Sequence, residues 1–110
     1  MRTHKHGIDI EMIRALVDTS TPSGEIEAIV ARHVEPRPGG LGPDRARLRD
    51  SGVSIWLIIA DLDATDGDIE QVIHDYDLHA SEVIAAIYYY LRNPELIEAR
   101  VALNEAGYAG

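Results

Sequence analysis

The fold is decided by residues 68–92, which have the sequence DIEQVIHDYDLHASEVIAAIYYYLR. Apolar residues recur in its first part at the i, i+3, i+4 and i+7 spacing of one helix face: Ile69, Val72, Ile73 and Tyr76. Asp68, with Gln71 three residues later, has the capping-box pattern that begins a helix. A short turn at 77–79 separates this helix from a second one over 80–92. The stretch therefore predicts two helices joined by three residues.

The helical pattern continues on both sides of this pair. A helix over about residues 56–64 precedes it and is closed by Thr65-Asp66-Gly67. After the pair, Asn93 caps a last helix that has Pro94 at its first position, where proline is tolerated. The inner face of that helix is expected to hold Ile97 and Val101, and Gly107 is its expected stop.

The first half of the chain is less regular. Two amphipathic helices are predicted, over about residues 8–18 and 23–34. Residues 35–43 contain three prolines and three glycines and are predicted to be a linker. Residues 45–49 and 53–55 are predicted to form two very short strands around an Asp-Ser-Gly turn.

Composition excludes several classes of protein. With 45% hydrophobic and 26% charged residues, the 110-residue chain has the balance of a globular domain. The apolar run 55–60 is stopped by Asp61, well short of the roughly 20 residues that span a membrane. The N-terminus lacks the apolar stretch of a signal peptide, and the chain has no cysteine for disulfides or thiolate metal sites. We therefore expect a cytoplasmic protein with no membrane contact.

Charge is unevenly distributed. The net charge is −9, and no Lys or Arg lies between Asp50 and Leu91. Acidic residues accumulate in this acidic body: Asp50, Asp61, Asp63, Asp66, Asp68, Glu70, Asp75, Asp77 and Glu82. Arginines concentrate just before it. Such an excess of acid is explained either by solubility or by a basic partner.

The sequence predicts no catalytic, cofactor or metal site, and hence a protein that is not an enzyme. His4 and His6 could chelate a metal but have no third ligand nearby. His74 and His79 do not share the helix face that a zinc site needs. Asp61 and Asp63, two residues apart on a helix, point in different directions.

Two helices joined by a short turn, after a third helix, have the helix-turn-helix pattern, although many helical bundles contain the same turn. Four segments, in order and at the expected spacing, resemble the domain-of-unknown-function family 433. They are Arg47–Ile58, Gly67–Leu78, Glu82–Tyr90 and Asn93–Arg100, so the resemblance covers about residues 44–104.

The resemblance implies a three-helix unit, homeodomain-like or winged-helix-like, with a very short β-hairpin. It divides the chain into an N-terminal helical extension and linker, 1–43, and a helix-turn-helix domain, 44–110. It also implies an antitoxin that pairs with a PIN-like ribonuclease toxin and forms a homodimer. The expected fold class is thus mainly α.

Three functional hypotheses follow. The first is an antitoxin that neutralises a PIN-like toxin by direct binding and regulates its own operon, which the acidic body favours because ribonucleases present basic surfaces. The second is a DNA-binding transcriptional repressor without a toxin partner. The third is a structural dimerisation module.

Nucleic acid, if bound, is expected at the arginines. Arg45, Arg47 and Arg49 alternate on an extended segment and should share one face, where they contact DNA or a partner. The alternative is intramolecular pairing with the acidic body. The helix over 80–92 begins with His79, Ser81 and Glu82, which bring a carboxylate and no cation toward phosphates, so we predict that it does not bind DNA.

The same helix is apolar nearly all round, and a three-helix unit buries only one of its stripes. The predicted homodimer interface comprises Ile84, Tyr88, Val83, Ile87 and Leu91, with Ile84 and Tyr88 near the two-fold axis. The alternative is that the N-terminal helices cover the second stripe within one chain. Residues 1–43 are accordingly expected to dock on the 56–104 unit or on a dimer mate, or else to present the toxin-binding surface.

Overall fold

The protein is mainly helical, with one very small sheet. The computed structural model describes residues 7–109, with side chains as far as residue 105. The helices are α1 Ile10–Arg14, α2 Ser23–His33, α3 Ile55–Ala64, α4 Ile69–Tyr76, α5 Ala80–Arg92 and α6 Pro94–Ala109. The strands are β1 Val34–Glu35 and β2 Arg47–Leu48, and 3-10 turns lie at Pro38–Gly40 and Pro43–Arg45.

Helix α5 is the centre of the molecule. It packs against all five other helices and against β1. Its residues 85–90 are all buried, because consecutive apolar and aromatic side chains point in every direction around the helix. One core joins α5 to both halves of the chain, since it includes Ile13 and Val34 as well as Ile58 and Ile97. The predicted docking of residues 1–43 on the C-terminal helices of the same chain is therefore confirmed for the described residues.

Three consecutive tyrosines of α5 attach three different segments. Each hydroxyl donates one hydrogen bond away from the helix: Tyr88 to the Asp18 carbonyl oxygen at 2.8 Å, Tyr89 to the Pro43 carbonyl oxygen at 2.8 Å, and Tyr90 to Glu98 Oε2 at 2.6 Å. Successive residues of a helix are about 100° apart, so these bonds leave α5 in three directions.

The predicted linker is packed rather than free. Pro38 is buried, and Pro43 accepts the bond from Tyr89. Asp44 forms a salt bridge with Arg100 of α6, at 2.9 Å from Nη2. The prolines and glycines prevent a long helix or strand here, but the Pro43 carbonyl oxygen binds a side chain of α5, and the Asp44 carboxylate that follows binds one of α6.

The sheet differs from the predicted hairpin. β2 pairs antiparallel with β1, with Val34 opposite Leu48, whereas the segment at 53–55 contributes only a single bridge between Arg47 and Ser54. Val34 leaves α2 in an extended conformation and is buried, so the first residue after the helix begins the strand. A two-residue strand has no periodicity that a sequence pattern could detect.

Helix α1 is shorter than the predicted 8–18 segment. Asp9 caps it by accepting the Met12 amide. After the helix, the amides of Leu16 and Val17 donate to the carbonyl oxygens three residues earlier, as in a 3-10 helix. A Cβ atom at Gly67 would lie 2.8 Å from Met12 Sδ of α1 and 3.2 Å from the Leu16 side chain that follows it. The absence of a side chain at Gly67 allows α1 to approach the turn between α3 and α4.

The ends of the helices after α1 follow the predicted signals closely, with two exceptions. Asp68 caps α4 by accepting the Gln71 amide at 3.1 Å, but the reciprocal half of the capping box is absent because the Gln71 side chain donates to Asp75. The expected stop at Gly107 is wrong, since α6 continues to Ala109. The bounds of α5 match the prediction at both ends.

Candidate partner-binding surfaces

Helix α5, the second helix of the predicted helix-turn-helix pair, is largely inside the protein. On α5, only the first turn and the last residue are exposed, and Glu82 retains 5% of its surface. The Glu82 carboxylate accepts the His79 amide at 2.8 Å, so it caps the helix to which it belongs. The accessible first turn, with Ala80 and Ser81, contains no Lys or Arg. This geometry offers no helix face of the length that enters a DNA groove.

The arginine segment alternates as expected. Arg45, Arg47 and Arg49 are exposed, while Ala46 and Leu48 between them are fully buried. The alternation extends from the end of the second 3-10 turn into β2, so strand geometry accounts for only part of it.

Two of these arginines bind within the chain. Arg47 Nε donates to Glu35 Oε1 at 2.9 Å, and Arg49 Nε donates to the Ala31 carbonyl oxygen at 3.1 Å. The partners belong to β1 and α2. Arg47 and Arg49 therefore bind within the chain, as in the intramolecular alternative, but their partners lie outside the acidic body. No hydrogen bond joins the Arg45 guanidinium to any residue that the structure describes.

Apart from Asp50, which is exposed beside β2, the acidic body divides into two groups of carboxylates. One group accepts hydrogen bonds that hold the fold: Asp61 from the Tyr76 hydroxyl, Asp63 from the Asp9 amide, Asp68 from the Gln71 amide and Glu82 from the His79 amide. Asp61 and Asp63 point to different partners, as predicted. Both carboxylates therefore hold the fold: Asp61 joins α3 to α4, and Asp63 joins α3 to the cap of α1.

The second group is exposed on α4 and its flanking turns. We call Asp66, Asp68, Glu70, Asp75 and Asp77 the acidic ridge. The ridge faces outward because α4 places Val72 in the core and keeps Ile69, Ile73 and Tyr76 half-buried on its inner side. Asp68 belongs to both groups, since its side chain caps α4 and is also exposed. Glu70 and Asp75 lie on α4 itself, and the other three carboxylates lie in the turns that flank it.

Several ionisable groups have shifted pKa values with clear causes. Burial, with the hydrogen bond to Asp61 next, raises the pKa of Tyr76 to about 12. Burial also raises the pKa of Tyr89, and together with Glu98 that of Tyr90. Hydrogen bonds from Arg100 lower the pKa of Asp44. The phenols are thus neutral donors at physiological pH, and the Asp44–Arg100 pair is charged.

The residues predicted for the dimer interface lie mostly in the core. Val83 and Ile87 are fully buried, and Tyr88 is covered by the N-terminal segment that accepts its hydroxyl bond. Ile84 and Leu91 are half-buried. At Tyr88, therefore, the N-terminal part of the same chain covers the second stripe, which is the alternative to a dimer. A second copy could not contact Val83, Ile87 or Tyr88 without opening this fold.

The histidines form no cluster within the part of the chain that the structure describes. His4 and His6 lie outside the described residues. Across the described residues, no three His, Cys, Asp or Glu side chains are grouped so that they could hold a metal ion. His74 is exposed on α4, and His79 is exposed at the residue that precedes α5. In the described part of the chain, no helix combines the length and apolar character needed to cross a membrane.

Comparison with known proteins found no match: no family model fits the chain, and neither a curated protein nor a solved structure is similar to it.

Proposed function

We propose that this chain is an antitoxin-type regulatory protein that neutralises a PIN-like ribonuclease toxin by direct binding, with the acidic ridge as the contact surface. The observation that carries the proposal is the outward position of five carboxylates on α4 and its turns, within a segment that has no Lys or Arg. A ribonuclease must attract RNA phosphates with basic side chains, and a carboxylate surface is complementary to those groups.

The ridge is also built on an ordered element. Asp68 caps α4, and the Tyr76 hydroxyl bonds to Asp61 of α3 at 2.5 Å, so both ends of the helix are fixed. A partner that binds the ridge would not have to order its backbone, which keeps the entropic cost of association low.

The resemblance to family 433 supports the same proposal. We propose that α3, α4 and α5 are the helices of its homeodomain-like or winged-helix-like unit, because they occur in that order with short turns between them. A cytoplasmic location and a homodimer belong to the proposal as well. Of the residues first expected at the dimer interface, Ile84 and Leu91 are the ones that remain accessible.

A second candidate is a DNA-binding repressor, alone or as part of operon autoregulation. It is favoured by the common exposure of Arg45, Arg47 and Arg49. Changing all three to Ala should abolish binding to DNA from upstream of the gene in an electrophoretic mobility assay. Unchanged binding by this variant, with loss on substitution of Ser81, would assign DNA contact to α5.

The decisive experiment pairs this protein with the product of the neighbouring gene. We expect the two to co-purify, the ribonuclease activity of the partner to be inhibited, and the affinity to fall with salt. The triple variant Glu70→Gln, Asp75→Asn, Asp77→Asn removes three ridge charges with little change of shape, and should weaken inhibition at least tenfold.

The matched control is Glu11→Gln, Glu25→Gln, Glu95→Gln, which removes three exposed charges from α1, α2 and α6. Equal loss in both variants would show that net charge alone matters and that the ridge is not the contact surface. Full inhibition by the ridge variant would refute the proposal for α4, and a neighbouring product that is neither bound nor inhibited would refute the antitoxin function.

A further inference from the structure

A cavity opens to solvent where the end of α2, strand β1 and the end of α5 meet. Its volume is about 260 Å³. Its walls combine apolar and charged side chains: Val30, Val34, Pro36, Arg49, Arg92 and Glu27. In a chain of net charge −9, two of nine arginines thus line one small cavity.

Both guanidinium groups are anchored while most of their donors remain free of protein partners. Arg49 Nε donates to the Ala31 carbonyl oxygen, and Arg92 Nη2 donates to the carbonyl and hydroxyl oxygens of Ser23 at 3.1 and 3.0 Å. The described residues give these two groups no further hydrogen bonds. A guanidinium carries five N–H donors, so each group keeps donors for a ligand at a position fixed by the fold.

The acidic side chain at the rim does not neutralise the cavity. Glu27 Oε2 lies 3.6 Å from Arg92 Nη1, which is beyond hydrogen-bond distance, and the Glu27 side chain is 73% exposed. Ion pairs of that kind are weak in water. Two arginines and one glutamate leave the cavity with an excess of one positive charge.

We propose that this cavity binds a small organic anion, a carboxylate joined to a short aliphatic chain. Arg49, bound through Nε, keeps its two Nη groups as a planar donor pair that matches the two oxygens of a carboxylate, and Arg92, bound through Nη2, adds single donors. The hydrocarbon chain would lie against Val30, Val34 and Pro36, where a bare inorganic anion would gain nothing. The cavity is smaller than the 300–1,000 Å³ typical of drug-sized ligands, which restricts the chain to a few carbons. The inference does not rest on the proposed function, since none of these residues belongs to the acidic ridge.

The test titrates the full chain with isocaproate and follows proton–nitrogen correlation spectra. We expect amide shifts confined to the end of α2, β1 and the residues around Arg49. Isocaproamide has the same chain without the charge, and inorganic phosphate has charge without the chain. Both should bind at least tenfold more weakly than isocaproate, because the amide lacks the charge and phosphate lacks the aliphatic chain. Equal binding of the amide, or tighter binding of phosphate, would overturn the proposal.

Variants assign the binding to the two arginines. Arg49→Gln and Arg92→Gln should each weaken isocaproate binding about tenfold, whereas Arg45→Gln, which removes the same charge from an exposed site outside the cavity, should bind like the wild type. If Arg49→Gln loses its fold, Arg92→Gln decides the matter by itself. Wild-type affinity in Arg92→Gln, or equal loss in Arg45→Gln, would contradict the assignment.

A peptide C-terminus has the same chemistry as the proposed ligand. Acetyl-glycyl-leucine with a free carboxylate is therefore included in the titration. Binding at least tenfold tighter than that of isocaproate would assign the cavity to a peptide C-terminus and overturn the small-molecule assignment; equal or weaker binding would uphold it.

Discussion

Helices α4 and α5 are neighbours in the chain, yet they have different roles. α4 buries one side and presents the acidic ridge on the other, whereas α5 is surrounded by the remaining helices. The difference arises because α1 and α2 occupy the side of α5 that a three-helix unit alone would leave open. The second helix of a helix-turn-helix pattern is therefore not necessarily the exposed one, and its burial must be judged from the whole chain.

Removing apolar volume should distinguish the two helices most strongly. Ile87→Ala, in α5, should lower the free energy of unfolding by about 3 kcal/mol, since it leaves a cavity at a fully buried site. Ile73→Ala, in α4, should cost roughly half as much because Ile73 is half-buried. Urea denaturation followed by far-ultraviolet circular dichroism measures both values, and equal losses would mean that α5 is no more central than α4.

Acidic side chains in the first turns of the two helices should also differ. Glu82→Ala removes the carboxylate that accepts the His79 amide and should lower the free energy of unfolding by about 1 kcal/mol. Glu70→Ala, at an exposed site in the first turn of α4, should change it by less than about 0.5 kcal/mol. The same denaturation experiment compares them, and a larger loss for Glu70 would contradict the capping role of Glu82.

Alkaline pH should destabilise the protein through the buried phenols. In the unfolded chain tyrosine ionises near its usual pKa of about 10, whereas the fold raises the pKa of Tyr76 to about 12. The contribution of Tyr76 to the free energy of unfolding is therefore complete below pH 10 and is lost as the pH rises from there through 12. In the Tyr76→Phe variant, the free energy of unfolding should change less with pH between about 10 and 12 than in the wild type. Absorbance near 295 nm reports the ionisation, and a Tyr76 that titrates near pH 10 in the folded protein would refute the effect.

The smallest effect on stability is expected at the ridge itself. The triple variant Glu70→Gln, Asp75→Asn, Asp77→Asn should change the free energy of unfolding by less than about 0.5 kcal/mol, because the side chains are exposed and asparagine tolerates the left-handed backbone at position 77. A loss comparable to that of Ile87→Ala would show that the ridge carboxylates maintain the fold, and any weakened binding in this variant would then have to be attributed to unfolding.

The sequence predicted the elements whose signals are local. The Asp68 cap, the bounds of α5 and the start of α6 at Pro94 depend on residues that are close together in the chain. The same holds for the alternation of exposed arginines with buried Ala46 and Leu48.

Features that depend on distant partners were missed. Strand β1 forms because Val34 meets Leu48, and the end of the Pro/Gly segment is held because Tyr89 binds Pro43 and Arg100 binds the adjacent Asp44. The division of the acidic body into structural and exposed carboxylates has the same origin. Asp61 and Glu70 look alike in the sequence, but the distant Tyr76 makes Asp61 a hydrogen-bond acceptor of the fold.

The three tyrosine bonds of α5 have a consequence for how the protein unfolds. They connect residues separated by 70, 46 and 8 positions in the chain, yet their donors occupy less than one helical turn. If the chain opens locally at Asp18, at Pro43 or at Glu98, one of the three tyrosine hydroxyls on this short stretch of α5 loses its hydrogen-bond partner. Local opening of any one segment weakens the support of the other two. Amide hydrogen exchange in α1, α5 and the first turns of α6 should accordingly proceed through one cooperative opening of the whole chain.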